Sequence, residues 1–129
     1  MSEKTIAQKL SIKPGNKLLV INPPMGYSMV MGELPAGASL QGEAGGPVEA
    51  IQVFVDKRLE LESQLPRLMK LLAPKGMLWV TYHKGTSKVK TDINRDTIAA
   101  YARTLGLQAV AMISIDDDWA ALRLKQMGQ

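Results

Sequence analysis

The sequence predicts an α/β domain of the Rossmann-like kind, three layers around a mostly parallel sheet of 5–6 strands, and three observations carry that expectation. Largely apolar runs of strand length fall at 18–21, 50–55 and 77–81. Between them lie helix-length segments with apolar residues on one face, and near the end two extended segments flank Asp116-Asp117-Asp118. A run that is apolar at every position suits a strand covered on both faces. Alternation of such strands with helices implies crossover connections and parallel pairing.

In chain order, an amphipathic lead with Ile6, Leu10 and Ile12 reaches the turn residues Pro14 and Gly15, and a strand follows at 17–22. Met25, Met29 and Met31 with Val30 then make a first helix apolar on more than one side. Such a face serves burial against the sheet first, and a homodimer contact or a protein partner second. The stretch 35–47, with Gly37, Gly42, Gly45 and Gly46, reads as loop holding one short edge strand near 38–41.

After the strand at 50–55, Leu61, Leu65, Leu68 and Leu72 recur at spacings of four, three and four, one face of a helix. Pro66 removes a donor and clashes with the preceding turn, so a kink or two short helices are expected there. Ala73-Pro74-Lys75-Gly76 reads as a turn into the strand at 77–81. In the next helix Asn94 caps the start, Asp96 favours the positive end, and Ile98, Ala102 and Leu105 form the buried stripe. Gly106 with Leu107 closes it as a left-handed cap. Strands at 108–115 and 119–126 are joined so tightly that they must form an antiparallel hairpin.

Composition excludes several chemistries. Cys 0 removes disulfides, thiolate zinc sites and cysteine nucleophiles, and suits a reducing compartment. His83 is the only histidine, too little for an imidazole-rich metal site, and no metal is expected. Residues 1–4 are polar with no signal-length apolar stretch behind them, which points to a cytoplasmic protein without a membrane segment. A net charge of +4 and a pI near 9.4 permit polyanion contact, but the charge is spread along the chain. One Phe, three Tyr and two Trp offer no base-stacking platform, which argues against nucleic acid as a partner.

In open α/β sheets ligands sit beyond the carboxyl ends of the strands. The loops emerging there give the candidate ligand-binding residues Asn22, Pro24, Gly26, Tyr27, Asp56, Lys57, His83 and Lys84, expected to converge on one sheet edge. Residues 82–92 gather a histidine, three lysines and several hydroxyls, a composition suited to an anion but without the G-x-x-x-x-G-K-[ST] spacing of a phosphate loop. His83, Ser87 and Asp92 lack the G-x-S-x-G elbow of a hydrolytic triad. No catalytic residue is assigned, and the three aspartates at 116–118 read as hairpin-tip residues that bond their own backbone.

The segment Leu71-Leu72-Ala73-Pro74-Lys75-Gly76-Met77-Leu78-Trp79-Val80, followed by the hairpin, resembles the C-terminal two-thirds of class I S-adenosylmethionine-dependent methyltransferases. Over nearly its whole length the chain also resembles a bacterial family of small proteins of unknown function. That likeness is carried by Ile12-Lys13-Pro14-Gly15, Gly32-Glu33-Leu34-Pro35 and Asp118-Trp119-Ala120-Ala121-Leu122. The resemblance implies a shortened methyltransferase-like fold, one strand–helix unit smaller than the enzymes. It departs from them where their cofactor turn is glycine-rich, because Asn22-Pro23-Pro24-Met25-Gly26-Tyr27 keeps a single glycine and loses two backbone donors. Asn22-Pro23-Pro24 also resembles the Asn-Pro-Pro-aromatic turn of DNA amino-methyltransferases. That turn follows a later strand, and Met25 stands where its aromatic belongs, so a rigid turn is the reading kept.

The expectations are thus one domain over 1–129, sheet order 2-1-3-4-6-5 with the last strand antiparallel, and a non-catalytic binding or regulatory module without a cofactor. The alternative is a reduced methyltransferase using S-adenosylmethionine, with Glu43 meeting the ribose. A second alternative is polyanion or nucleic-acid binding through Lys84, Lys88 and Lys90.

Overall fold

The computed structural model describes residues 5–42, 46–85 and 91–127. Along the chain the elements are α1 (Ile6–Lys9), β1 (Lys17–Ile21), α2 (Tyr27–Val30), β2 (Ser39–Gln41), β3 (Val48–Phe54), α3 (Arg58–Met69), β4 (Leu72–His83), α4 (Arg95–Thr104), β5 (Leu107–Ser114) and β6 (Trp119–Gln126). The six strands form one sheet in the order β2-β1-β3-β4-β6-β5. From β2 to β4 the neighbours are parallel, and β6 runs antiparallel to both β4 and β5.

Successive side chains of a strand point to opposite faces, so a strand apolar at every position must be covered twice. One face packs Leu19, Ile51, Val53, Leu78, Val80 and Leu122 against Leu61, Leu65 and Leu68 of α3 and Ile98 and Ala102 of α4. The other packs Leu18, Val20, Ala50, Phe54 and Trp79 against Leu10 and Ile12 after α1 and against Tyr27 and Met31 around α2. The Trp79 indole N–H donates to the Leu10 carbonyl at 3.1 Å, tying this cover to the middle of the sheet.

Two local expectations are corrected, the split into two helices at Pro66 and the turn at 73–76. Helix α3 continues through Pro66 without interruption. A proline there leaves the carbonyl four residues back, that of Glu62, without its helical donor. The Tyr101 hydroxyl of α4 donates to that carbonyl at 3.2 Å instead. The expected turn at Ala73-Pro74-Lys75-Gly76 is absorbed into β4 as a bulge: Val48 pairs with Leu72 but Ala50 with Met77, five positions along β4 against two along β3. Lys75 takes the left-handed backbone there, φ 63°. Gly76 is required by close approach, since a Cβ on it would stand 2.8 Å from the Ala73 carbonyl oxygen and from Leu72 Cδ1.

At the far edge β5 is eight residues long and carries no charge, with Val110 and Met112 about half exposed. Its register shifts once, between Ala109 and Ala111. Among the described residues no helix is long and apolar enough to cross a membrane.

Candidate functional site

The carboxyl ends of β1, β3 and β4 emerge side by side, and their sequences decide what each presents. Beyond β1, Asn22 sits in the left-handed region (φ 57°), Pro23 and Pro24 follow, and Gly26 is left-handed again at φ 78°. The Tyr27 N–H closes this turn on the Pro24 carbonyl at 3.1 Å and starts α2. Together with the end of β2 the turn walls a cavity of about 300 Å³, lined by Val20, Pro24, Gly26, Tyr27, Gln41 and Gly42 among others. A Cβ at Gly26 would meet nothing within 4 Å, so the turn leaves that side open for a ligand. Glu43 lies outside the described residues.

Below the turn the buried Tyr27 hydroxyl donates to Gln52 Oε1 at 2.7 Å, and Gln52 Nε2 donates to Thr81 Oγ1 at 3.0 Å. Gln52 and Thr81 are fully buried. The relay joins α2, β3 and β4, and it satisfies polar groups that would otherwise be costly inside the sheet. Burial raises the Tyr27 hydroxyl above its ordinary value, while the Gln52 bond works in the opposite direction.

Beyond β3 and β4, Asp56 Oδ1 pairs with His83 Nδ1, and the Thr91 hydroxyl donates to the Asp56 carbonyl. The imidazole lies against the Trp119 indole with ring centroids 3.7 Å apart and planes tilted by 31°. Phe54 links Trp119 to Tyr27 through edge-on contacts at 5.0 and 4.8 Å. An aromatic row thus runs from the β1 turn to the histidine, and the His83 side chain is left 10% exposed. Asp56 and Lys57 give their N–H groups to Glu60 Oε1, both at 3.0 Å, which fixes the start of α3.

The candidate residues all stand at the carboxyl end of the parallel strands, but in three groups. Pro24, Gly26 and Tyr27 line the β1–β2 cavity, while Asn22 is exposed beside it. Asp56 and His83 form the couple, with the Lys57 side chain exposed. Lys84 turns away: its Nζ donates to Ser114 Oγ at 2.5 Å, on the wall of a larger cavity of about 650 Å³ between β4, β5 and the start of α4.

Ser87, Lys88 and Lys90 lie outside the described residues. Asp92 accepts the Arg58 N–H at 2.7 Å, and Asp116 Oδ1 accepts the N–H groups of Asp118 and Trp119 at 2.8 and 2.9 Å. Among the described residues no three metal-ligating side chains gather. Met31 is buried, whereas Met25 and Met29 are exposed. Sequence reasoning passed over Gln52, Thr81 and Trp119. The first two were visible as polar interruptions of apolar runs, while nothing in the residue pattern paired Trp119 with His83.

No protein-family model and no curated protein matches the sequence. Solved structures do match. DhpI in its complex with SAH superposes with a TM-score of 0.66 at 9% identity, covering 96% of this chain and 84% of that one. Ribosomal protein L11 methylase from Lactobacillus delbrueckii subsp. bulgaricus gives 0.60 at 10% identity over 94% and 74%. A SAM-dependent methyltransferase from Aquifex aeolicus gives 0.59 at 11% over 91% and 85%. At these identities the likeness is one of fold, and the shortened methyltransferase-like architecture is the fold of this chain. The neighbours also correct two expectations. Structures solved as methyltransferases or with SAH bound favour the methyltransferase alternative over a non-catalytic module, and they give no support to a site without a cofactor.

Proposed function

We propose that the chain is a reduced S-adenosylmethionine-dependent methyltransferase. The observation that carries this reading is the cavity at the carboxyl ends of β1 and β2, on a sheet whose order is shared with methyltransferase structures. Its volume of about 300 Å³ falls at the lower end of small-molecule pockets, and its wall includes an unobstructed glycine. Pro23 and Pro24 bring no donors, so the backbone of Met25 and Gly26 and the side chain of Gln41 would hold the cofactor.

When bound, S-adenosylmethionine supplies an electrophilic methyl group on sulfur. What this chain adds is a place for the proton that the acceptor gives up. Asp56 engages the Nδ1 side of His83, which leaves Nε2 to receive that proton. Trp119 restricts the ring to one orientation and shields its face from water.

Isothermal calorimetry with S-adenosylmethionine and with S-adenosylhomocysteine tests the reading. Dissociation constants tighter than about 1 mM, equivalent to about 4 kcal/mol, are expected, with amide shifts at Gly26, Gln41 and Gly42. No heat at millimolar ligand, or shifts remote from those three residues, would sink it.

A further inference from the structure

The larger cavity, on the sheet face that α4 covers, combines features that the β1–β2 site lacks. Its apolar wall includes Met112 and Ala120, and the thioether of Met112 adapts readily to an occupant's shape. On its polar side stand Tyr82, Lys84 and Arg95, with Asn94 and with Ser114, which accepts from Lys84. Tyr82 is only 6% exposed, and its hydroxyl donates to Met112 Sδ at 3.3 Å. A thioether is a weak acceptor, so a nearly buried hydroxyl is spent on a poor bond. The Arg95 guanidinium stands 3.7 Å from Asp96, beyond a good hydrogen bond, and that aspartate is 88% exposed.

Charge and volume select the occupant. Among the described residues, Lys84 and Arg95 against Asp96 leave one net positive charge on the lining, which matches the single charge of a carboxylate better than the near-double charge of a phosphate monoester. At about 650 Å³ the space is far larger than a bare anion and needs a body to fill it. We propose that this cavity binds a small molecule with a carboxylate on an apolar, ring-sized body, the carboxylate received by Tyr82, Lys84 and Arg95 and the body by Met112, Ala120 and the Tyr82 ring. This binding does not rest on the methyltransferase reading, since the cavity lies on the sheet face opposite Tyr27 and the His83–Trp119 pair.

Amide-shift titration of the full chain with 3-phenylpropionate tests the site, with the neutral 3-phenylpropionamide and inorganic phosphate as comparisons. Shifts should centre on Lys84, Met112, Ile113 and Ala120, and the amide and phosphate should each bind about tenfold more weakly, the loss of one charge-assisted contact. Tyr82→Phe keeps the buried ring and should weaken 3-phenylpropionate severalfold, as should Arg95→Gln, each with an unchanged thermal midpoint. Acid and amide of equal affinity, phosphate as tight as the acid, shifts elsewhere, or full affinity in both variants would overturn the proposal. S-adenosylhomocysteine added to the same sample reports separately at Gly26 and Gln41, so failure of one site is distinguishable from failure of the other.

Discussion

The Tyr27 hydroxyl is held by an amide that has no other reason to sit inside a sheet. Gln52 accepts from Tyr27 and donates to Thr81, and both inner residues are sealed from water. Replacing Tyr27 by Phe keeps the ring on Phe54 and strands the Gln52 oxygen, which should cost about 1–3 kcal/mol in urea unfolding at neutral pH. The variant should also respond differently to alkali. Tyrosine ordinarily loses its proton near pH 10, and burial raises Tyr27 above that in the folded chain. As pH climbs past 10 the unfolded chain releases this proton while the folded chain retains it, so the unfolded state binds fewer protons and stability falls. Urea midpoints from about pH 9 to pH 11 should therefore fall less steeply for Tyr27→Phe; an identical slope would assign the alkaline loss to other groups. Gln52 and Thr81 were readable as polar intrusions in apolar runs, but a run does not say which neighbour answers an intrusion.

Helix α3 makes the same point one level up. Its leucine stripe was plain in the residue spacing, yet the effect of Pro66 was set by a hydroxyl on another helix, 39 residues from the carbonyl it caps. Tyr101→Phe should cost about 0.5–1.5 kcal/mol, because it leaves the Glu62 carbonyl without a donor. In a Pro66→Ala background the same change should cost measurably less, since the restored N–H takes that carbonyl. A double-mutant cycle reads the difference directly, and additive costs would show that Tyr101 acts through packing alone. The tetrapeptide at 73–76 misled for a related reason. Pro, Lys and Gly describe a chain reversal as well as they describe a bulge, and only the pairing of Val48 with Leu72 on one side and Ala50 with Met77 on the other decides between them.

For the whole molecule the alternation of doubly apolar runs with helical stripes was enough to anticipate the strand order, because parallel neighbours covered on two faces leave few ways to wind a short chain. What it left open was everything dependent on side chains meeting across strands, including the Asp56–His83 couple and its indole wall. Native-state hydrogen exchange should follow the layering. Amides of Val53, Val80 and Leu122, in strands with neighbours on both sides, are expected to exchange last, and Leu40 of the three-residue β2 early. Protection of β2 equal to that of β4 would contradict this ranking.

The two sheet margins differ in a way that bears on behaviour in concentrated solution. Strand β2 is too short to template another chain, whereas β5 offers eight uncharged residues along an open margin. Of the two margins, β5 is the one long enough to pair with a further strand. The register shift between Ala109 and Ala111 interrupts that margin, and such an irregularity works against flat edge-to-edge stacking.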